Sequence, residues 1–231
     1  QGSKSGDNME AVQLDILEES HFPNYKGHNR SYDGTMNENI NILGNVFENV
    51  NRGVGAHSVF SGKYMKNINI SNNTFNNVSG YAVLASSFLN VIINNNSINN
   101  CGAGIYYKSI NPKPNSKSQR PNTYKCSGKS YSPTVDKSSQ ISGNIISIVD
   151  TNDPSMKQWP YGIRLYGEVV KSNEKIAKKG DYSVQNITVS NNTISVARSA
   201  TGIWIDGAKK SNIKNNKIKY EFSNHLIKKL S

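Results

Sequence analysis

Asn186-Ile-Thr-Val-Ser-Asn-Asn-Thr-Ile194 is one copy of a pattern that the chain repeats, roughly Asn-Ile-x-Ile-x-Asn-Asn-x-Ile/Phe. The other copies run Asn39 to Phe47, Asn67 to Phe75, Asn90 to Ile98, Gln140 to Ile146 and Asn212 to Ile218. Apolar residues alternate within each copy, as in Ile40 with Ile42 or Ile187 with Val189, which predicts a strand with one buried face. A turn asparagine then follows: Asn45, Asn73, Asn96, Asn144, Asn192 and Asn216. Asparagine tolerates the left-handed backbone of a tight turn, and stacked amides can bond from copy to copy. These asparagines are expected to be structural.

A second pattern recurs between the copies. It reads Glu10-Ala-Val-Gln-Leu-Asp15, Arg52-Gly-Val-Gly-Ala-His57, Tyr81-Ala-Val-Leu-Ala-Ser86, Ala103-Gly-Ile-Tyr-Tyr-Lys108, Tyr161-Gly-Ile-Arg-Leu-Tyr166 and Thr201-Gly-Ile-Trp-Ile-Asp206. Val12, Val54, Val83, Ile105, Ile163 and Ile203 align as one apolar column. Leu14, Ala56, Ala85, Tyr107, Leu165 and Ile205 align two residues on, so both columns should point into one core. Where no insertion intervenes the period is roughly 23 to 28 residues, which suits a coil of three short strands stacking in parallel on the next coil. The expected fold is all-β, a right-handed parallel β-helix of about six coils with insertions along one edge. Residues 1–3 read as an expression-tag remnant and 4–231 as a single domain, with upstream coils, a cap or a partner chain covering the first coil. Phe222 to Leu230 is a candidate cap for the other end.

Composition agrees. Only 35% of the residues are hydrophobic, which a thin solenoid core tolerates. No apolar run approaches the roughly 18 residues of a membrane span. Two cysteines, Cys101 and Cys126, are too few for a disulfide framework, and sequence leaves open whether they pair. The formal charge of +11 favours anionic partners.

With the apolar columns inward, three columns are left to point outward. The first is Glu10, Arg52, Tyr81, Ala103, Tyr161 and Thr201. The second is Gln13, Gly55, Leu84, Tyr106, Arg164 and Trp204, and the third is Asp15, His57, Ser86, Lys108, Tyr166 and Asp206. Neighbours in a column lie about 4.8 Å apart, which lets Asp15 reach His57 and Lys108 reach Tyr166. Aromatic and cationic side chains on one flat sheet stack on sugar rings and pair with carboxylates or sulfates. Insertions at 16–38, 58–66, 109–138 and 167–185 leave after the third column, so they are expected to wall this face into a groove.

Together these coils resemble the right-handed parallel β-helix proteins of the pectate-lyase-like superfamily, from Met9 to Tyr220. That family includes polysaccharide lyases, polygalacturonase-type hydrolases, epimerases and phage tailspikes. The resemblance implies a polysaccharide groove on a long parallel sheet. It does not extend to the family's reaction signatures: neither the Asn-Thr-Asp with Asp-Asp set nor Asp-Pro-His-Glu is present. It also brings in calcium, which many family lyases use, although the acidic cluster that calcium needs is missing here. No other cofactor or metal site is expected, and nucleic acid has no motif to support it.

The candidate catalytic residues are Asp15, His57, Lys108, Arg164 and Tyr166. Substrate binding falls to Glu10, Gln13, Arg52, Tyr81, Tyr106, Tyr161, Trp204 and Asp206. Glycoside hydrolysis needs two carboxyl groups about 5 to 9.5 Å apart. Asp15 and Asp206 are five coils apart, about 24 Å, and Glu10 and Asp15 about 16 Å, so a hydrolase would need Glu18, Glu19 or Asp33 beside Asp15. A lyase or epimerase could use Arg164 or Lys108 to neutralise a uronate, His57, Lys108 or a tyrosine as base, and Tyr106 or Tyr166 as acid. The expected function is cleavage or modification of an acidic glycan by a secreted or cell-surface, bacterial-type protein. The alternative is a non-catalytic adhesin or polysaccharide-binding module.

Overall fold

The computed structural model describes residues 10–14, 37–56, 65–109, 138–149, 160–167, 184–197 and 199–221. They form a stack of coils. The first coil is β1 (Glu10–Gln13), β2 (Glu38–Leu43) and β3 (Val46–Glu48), and the second β4 (Arg52–Gly55), β5 (Met65–Ser71) and β6 (Thr74–Asn76). The third is β7 (Tyr81–Ser86), β8 (Phe88–Asn94) and β9 (Ser97–Cys101), and the fourth β10 (Ala103–Ser109), β11 (Ser139–Ser142) and β12 (Ile145–Ile148). The fifth is β13 (Tyr161–Gly167), β14 (Val184–Gln185), β15 (Ile187–Ser190) and β16 (Thr193–Ala197). The last is β17 (Thr201–Asp206), β18 (Ala208–Lys209), β19 (Asn212–Lys214) and β20 (Lys217–Glu221).

Three 6-stranded sheets result, in the orders β1-β4-β7-β10-β13-β17, β2-β5-β8-β11-β15-β19 and β3-β6-β9-β12-β16-β20. Every pairing is parallel, and the register is the one the aligned repeats predict: Val12 opposite Val54, Ile105 opposite Val83 and Ile163, Arg164 opposite Trp204. The described residues form a parallel β-helix of six coils. Its core is the rod interior, where Val54, Val83, Ile105, Ile163, Val189 and Ile194 are fully buried.

The turn between the second and third sheets corrects one detail of the sequence reading. The stacked asparagines do not themselves take the left-handed conformation. The residue before each does: Gly44, Asn72, Asn95, Gly143, Asn191 and Asn215, all with φ between 54° and 67°. This turns the following asparagine inward as a ladder. Asn96 donates from its backbone N and from Nδ2 to Asn144 Oδ1, at 3.0 and 2.9 Å, and from Nδ2 to the Ile70 carbonyl at 2.9 Å. Asn45, Asn73, Asn144 and Asn192 bond to the next asparagine in the same way. Four of these amides are at most 1% exposed, so the ladder satisfies polar groups that would otherwise be stranded in the core.

A glycine column shapes the first sheet. Simple alternation would send Glu10, Arg52, Tyr81 and Tyr161 inward, because each lies two residues before an inward valine or isoleucine. Yet Tyr81 and Tyr161 pack with Tyr106 and Leu84, apart from the main core. Gly53, Gly104, Gly162 and Gly202 stand one residue further on, and pairing skips that position, as in Glu10–Arg52 followed by Val12–Val54 and Tyr161–Thr201 followed by Ile163–Ile203. A β-carbon on Gly162 would fall on Ile194 Cγ2 and on the Gly202 carbonyl. Two successive residues thus face inward, and the first column swings out beside the second.

Candidate functional site

The swing places Tyr81, Tyr106, Tyr161, Tyr166 and Trp204 together on the outer face of the first sheet. Tyr81 and Tyr161 are two coils apart in one column. They meet at 6.2 Å because Ala103 between them is small, and the Tyr106 ring lies 5.5 Å from the first and 5.7 Å from the second. Trp204 meets Tyr161 edge-on at 6.3 Å, and Tyr166 meets Tyr106 at the same distance.

Arg164 is the hub of this cluster. Its guanidinium lies 3.9 Å from the Trp204 ring centre, 5.0 Å from Tyr166 and 5.2 Å from Tyr106. Its Nη2 donates to Asp206 Oδ2 at 3.1 Å. Burial works against the charge, but Tyr106, Asp206 and Tyr161 outweigh it and hold Arg164 above its ordinary value. Lys108 is in register with Tyr166, and its Nζ lies 5.3 Å from the Tyr106 ring centre.

At the other end of the sheet Arg52 donates from Nη1 to Glu10 Oε1 at 2.8 Å and lies 5.7 Å from the Tyr81 ring. Glu10 lies across Gly55, where a β-carbon would come within 2.9 Å of its Cγ. Gln13 is exposed and in register with Gly55. The order along the rod is therefore acid, base, aromatic cluster, base, acid.

Three of the expected ligand-contacting residues sit differently from the open, exposed face that the sequence suggests. Tyr161, Tyr106 and Tyr81 are 0%, 6% and 8% exposed, because large rings in adjacent columns cover one another. The Glu10 side chain is likewise fully buried against Arg52. Burial raises Tyr81 and Tyr161 and pushes the Tyr106 hydroxyl up to about 12, with only partial relief from the Arg164 charge. These phenols stay protonated at neutral pH and are poorly placed to shuttle a proton. Lys108, Arg164, Tyr166, Trp204 and Asp206 remain half-buried and form the accessible part of the face. Sequence reasoning left Leu84 and Ala103 out of the site although both complete the cluster; their place in the outward columns was the available signal.

Asp15 and His57 lie outside the described residues, as do Cys126, Glu18, Glu19, Asp33, nearly all of the insertions and Phe222 to Leu230. Cys101 is buried, and burial pushes its thiol up to about 11. Among the described residues no group of three or more His, Cys, Asp or Glu side chains could hold a metal, and no helix is long and apolar enough to cross a membrane.

No protein-family model and no curated protein matches the chain. A solved structure similar to it is the Streptococcus pneumoniae surface protein and adhesin PfbA, at 19% identity and a TM-score of 0.36. The match covers 91% of this chain and 55% of that one, so this chain spans about half that protein's length.

Proposed function

We propose that this chain binds an anionic polysaccharide on the outer face of β10, β13 and β17, as a secreted or cell-surface, bacterial-type β-helix of the pectate-lyase-like kind. One observation carries the reading: Trp204 and Tyr166 flank Arg164, with Lys108 in register beside Tyr166. Half-buried rings held by an adjoining cation offer aromatic surface for sugar rings, and Lys108 supplies a charge for a carboxylate or sulfate. The Asp206 carboxylate neutralises Arg164, so Arg164 serves to hold the rings rather than to grip the ligand.

Binding is favoured over catalysis by the protonation of the described groups. The Tyr81, Tyr106 and Tyr161 hydroxyls are raised rather than lowered, and each described carboxylate of this face, Glu10 and Asp206, is already paired with an arginine. The catalytic alternative rests on Lys108, Arg164 and Tyr166 lying together, with Asp15 and His57 as its remaining parts.

Calorimetric titration with a polyuronate and with a neutral glucan tests the reading. Trp204→Ala should weaken polyuronate binding about tenfold, the worth of one lost stacking contact of roughly 1.4 kcal/mol. Lys108→Ala should weaken the polyuronate and leave any neutral glucan unchanged. Absorbance of unsaturated product and reducing-end assays on the same mixtures should show no turnover; turnover would select the catalytic alternative.

A further inference from the structure

Among the described residues the aromatic face carries two carboxylates, and only one of them is within reach of a ligand. Glu10 and Asp206 each pair with an arginine, Arg52 at 2.8 Å and Arg164 at 3.1 Å. The Glu10 side chain is 0% exposed, and its second oxygen, Oε2, is buried. The Asp206 side chain is 37% exposed. Arg164 engages its Oδ2 alone; among the described residues Oδ1 accepts no hydrogen bond, and it is not a buried atom.

Asp206 is also held in place. It stands two residues after Trp204 on β17, so both side chains leave the same side of the strand. Arg164 fixes it from one flank, with its guanidinium 3.9 Å from the Trp204 ring centre. From the other, Gly207 turns the chain at a φ of 63° straight into β18, and a β-carbon there would fall on the Gly167 carbonyl. A carboxylate fixed beside an aromatic ring offers only acceptors. Its complement is a donor, and on a sugar stacked against Trp204 the donors are hydroxyls.

We propose that Asp206 sets the specificity of this face: it accepts from unsubstituted sugar hydroxyls, and so restricts the glycan to a carboxylated polymer with free hydroxyls, against sulfated or O-acylated ones. The inference rests on the reading of the outer face of β10, β13 and β17 as a polysaccharide site. Lys108, Tyr166 and Asp206 are successive members of one column, which sets Lys108 and Asp206 about 9.6 Å apart along the rod. In a uronate the carboxylate and the ring hydroxyls lie on different edges of the sugar, so one chain can meet Lys108 and Asp206 with different groups. Esterifying those hydroxyls with sulfate removes the donors and sets an anion against the Asp206 carboxylate, which costs the bond and adds repulsion. The net charge of +11 works the other way, since it favours the more highly charged polymer. The two effects predict opposite orders of affinity.

Titration of the full chain at moderate salt with polygalacturonate, and with the same polymer sulfated on its free hydroxyls, tests this, the Trp204 indole N–H shift reporting from the face itself. Polygalacturonate should give a saturable shift. The sulfated polymer should bind the face about tenfold more weakly, the usual weight of one hydrogen bond to a charged group. Asp206→Asn, which puts a donor amide beside the ring, should weaken polygalacturonate by a similar factor and remove the preference. Lys108→Ala should weaken both polymers and keep it. A sulfated polymer that binds the Trp204 face as tightly as polygalacturonate, a preference that survives in Asp206→Asn, or one that is lost in Lys108→Ala would overturn the role of Asp206 and leave the site standing. No saturable shift with either polymer would overturn the site and this inference with it.

Discussion

Asn96 shows how much one polar side chain carries in this rod. It receives the backbone N–H and amide of Asn73, and gives its own to Asn144 and to the Ile70 carbonyl. Asn96→Ala strands several of these groups in a dry interior, where each costs about 1–3 kcal/mol. The expected loss is roughly 2–4 kcal/mol, read as a lower urea midpoint. Asn45→Ala, at the solvent-exposed end, should cost under about 1 kcal/mol. That asparagines would stack was legible from their period. Which residue takes the left-handed turn was hidden, because Asn72-Asn73 and its equivalents offer two asparagines at once. The clue lay in Gly44 and Gly143, which stand at the first of the two positions and carry φ of 67° and 65°.

At the scale of the strand, the glycine column decides which residues reach the outer face. Gly162→Ala pushes a methyl into Ile194 and the Gly202 backbone, and should destabilise by about 2 kcal/mol, within the usual range for overpacking. Thr201→Ala in the adjoining outward column should stay within about 0.5 kcal/mol. The buried tyrosines make a pH prediction. Tyr106 has an ordinary value of 10.0 and is raised to about 12 in the fold, so between those values the unfolded chain binds fewer protons than the folded one. Stability should fall as pH rises from about 10 to 12, and Tyr106→Phe should flatten that fall in alkaline denaturation curves. The three outward columns were legible in the alignment. Their burial was not, since it depends on Ala103 leaving a gap that lets Tyr81, Tyr106 and Tyr161 close over one another, which is a matter of side-chain volume rather than period.

For the whole molecule, six coils could be counted in the sequence because each coil writes the same pattern once. The ends were less legible: exposed Ile205, Ile213 and Ile218 sit on the same pattern as their buried counterparts and differ only in having no described coil beyond them. The charge of +11 will attract any polyanion, and the lysines of the last coil compete with the aromatic face for it. The most direct test of the central claim is therefore a map of backbone and indole N–H chemical shifts in a labelled sample titrated with an oligouronide. Binding on the outer face of β10, β13 and β17 predicts saturable shifts at Lys108, Arg164, Tyr166 and the Trp204 indole, persisting at moderate salt. Shifts confined to Lys209, Lys210, Lys214, Lys217 and Lys219, and abolished by that salt, would contradict it.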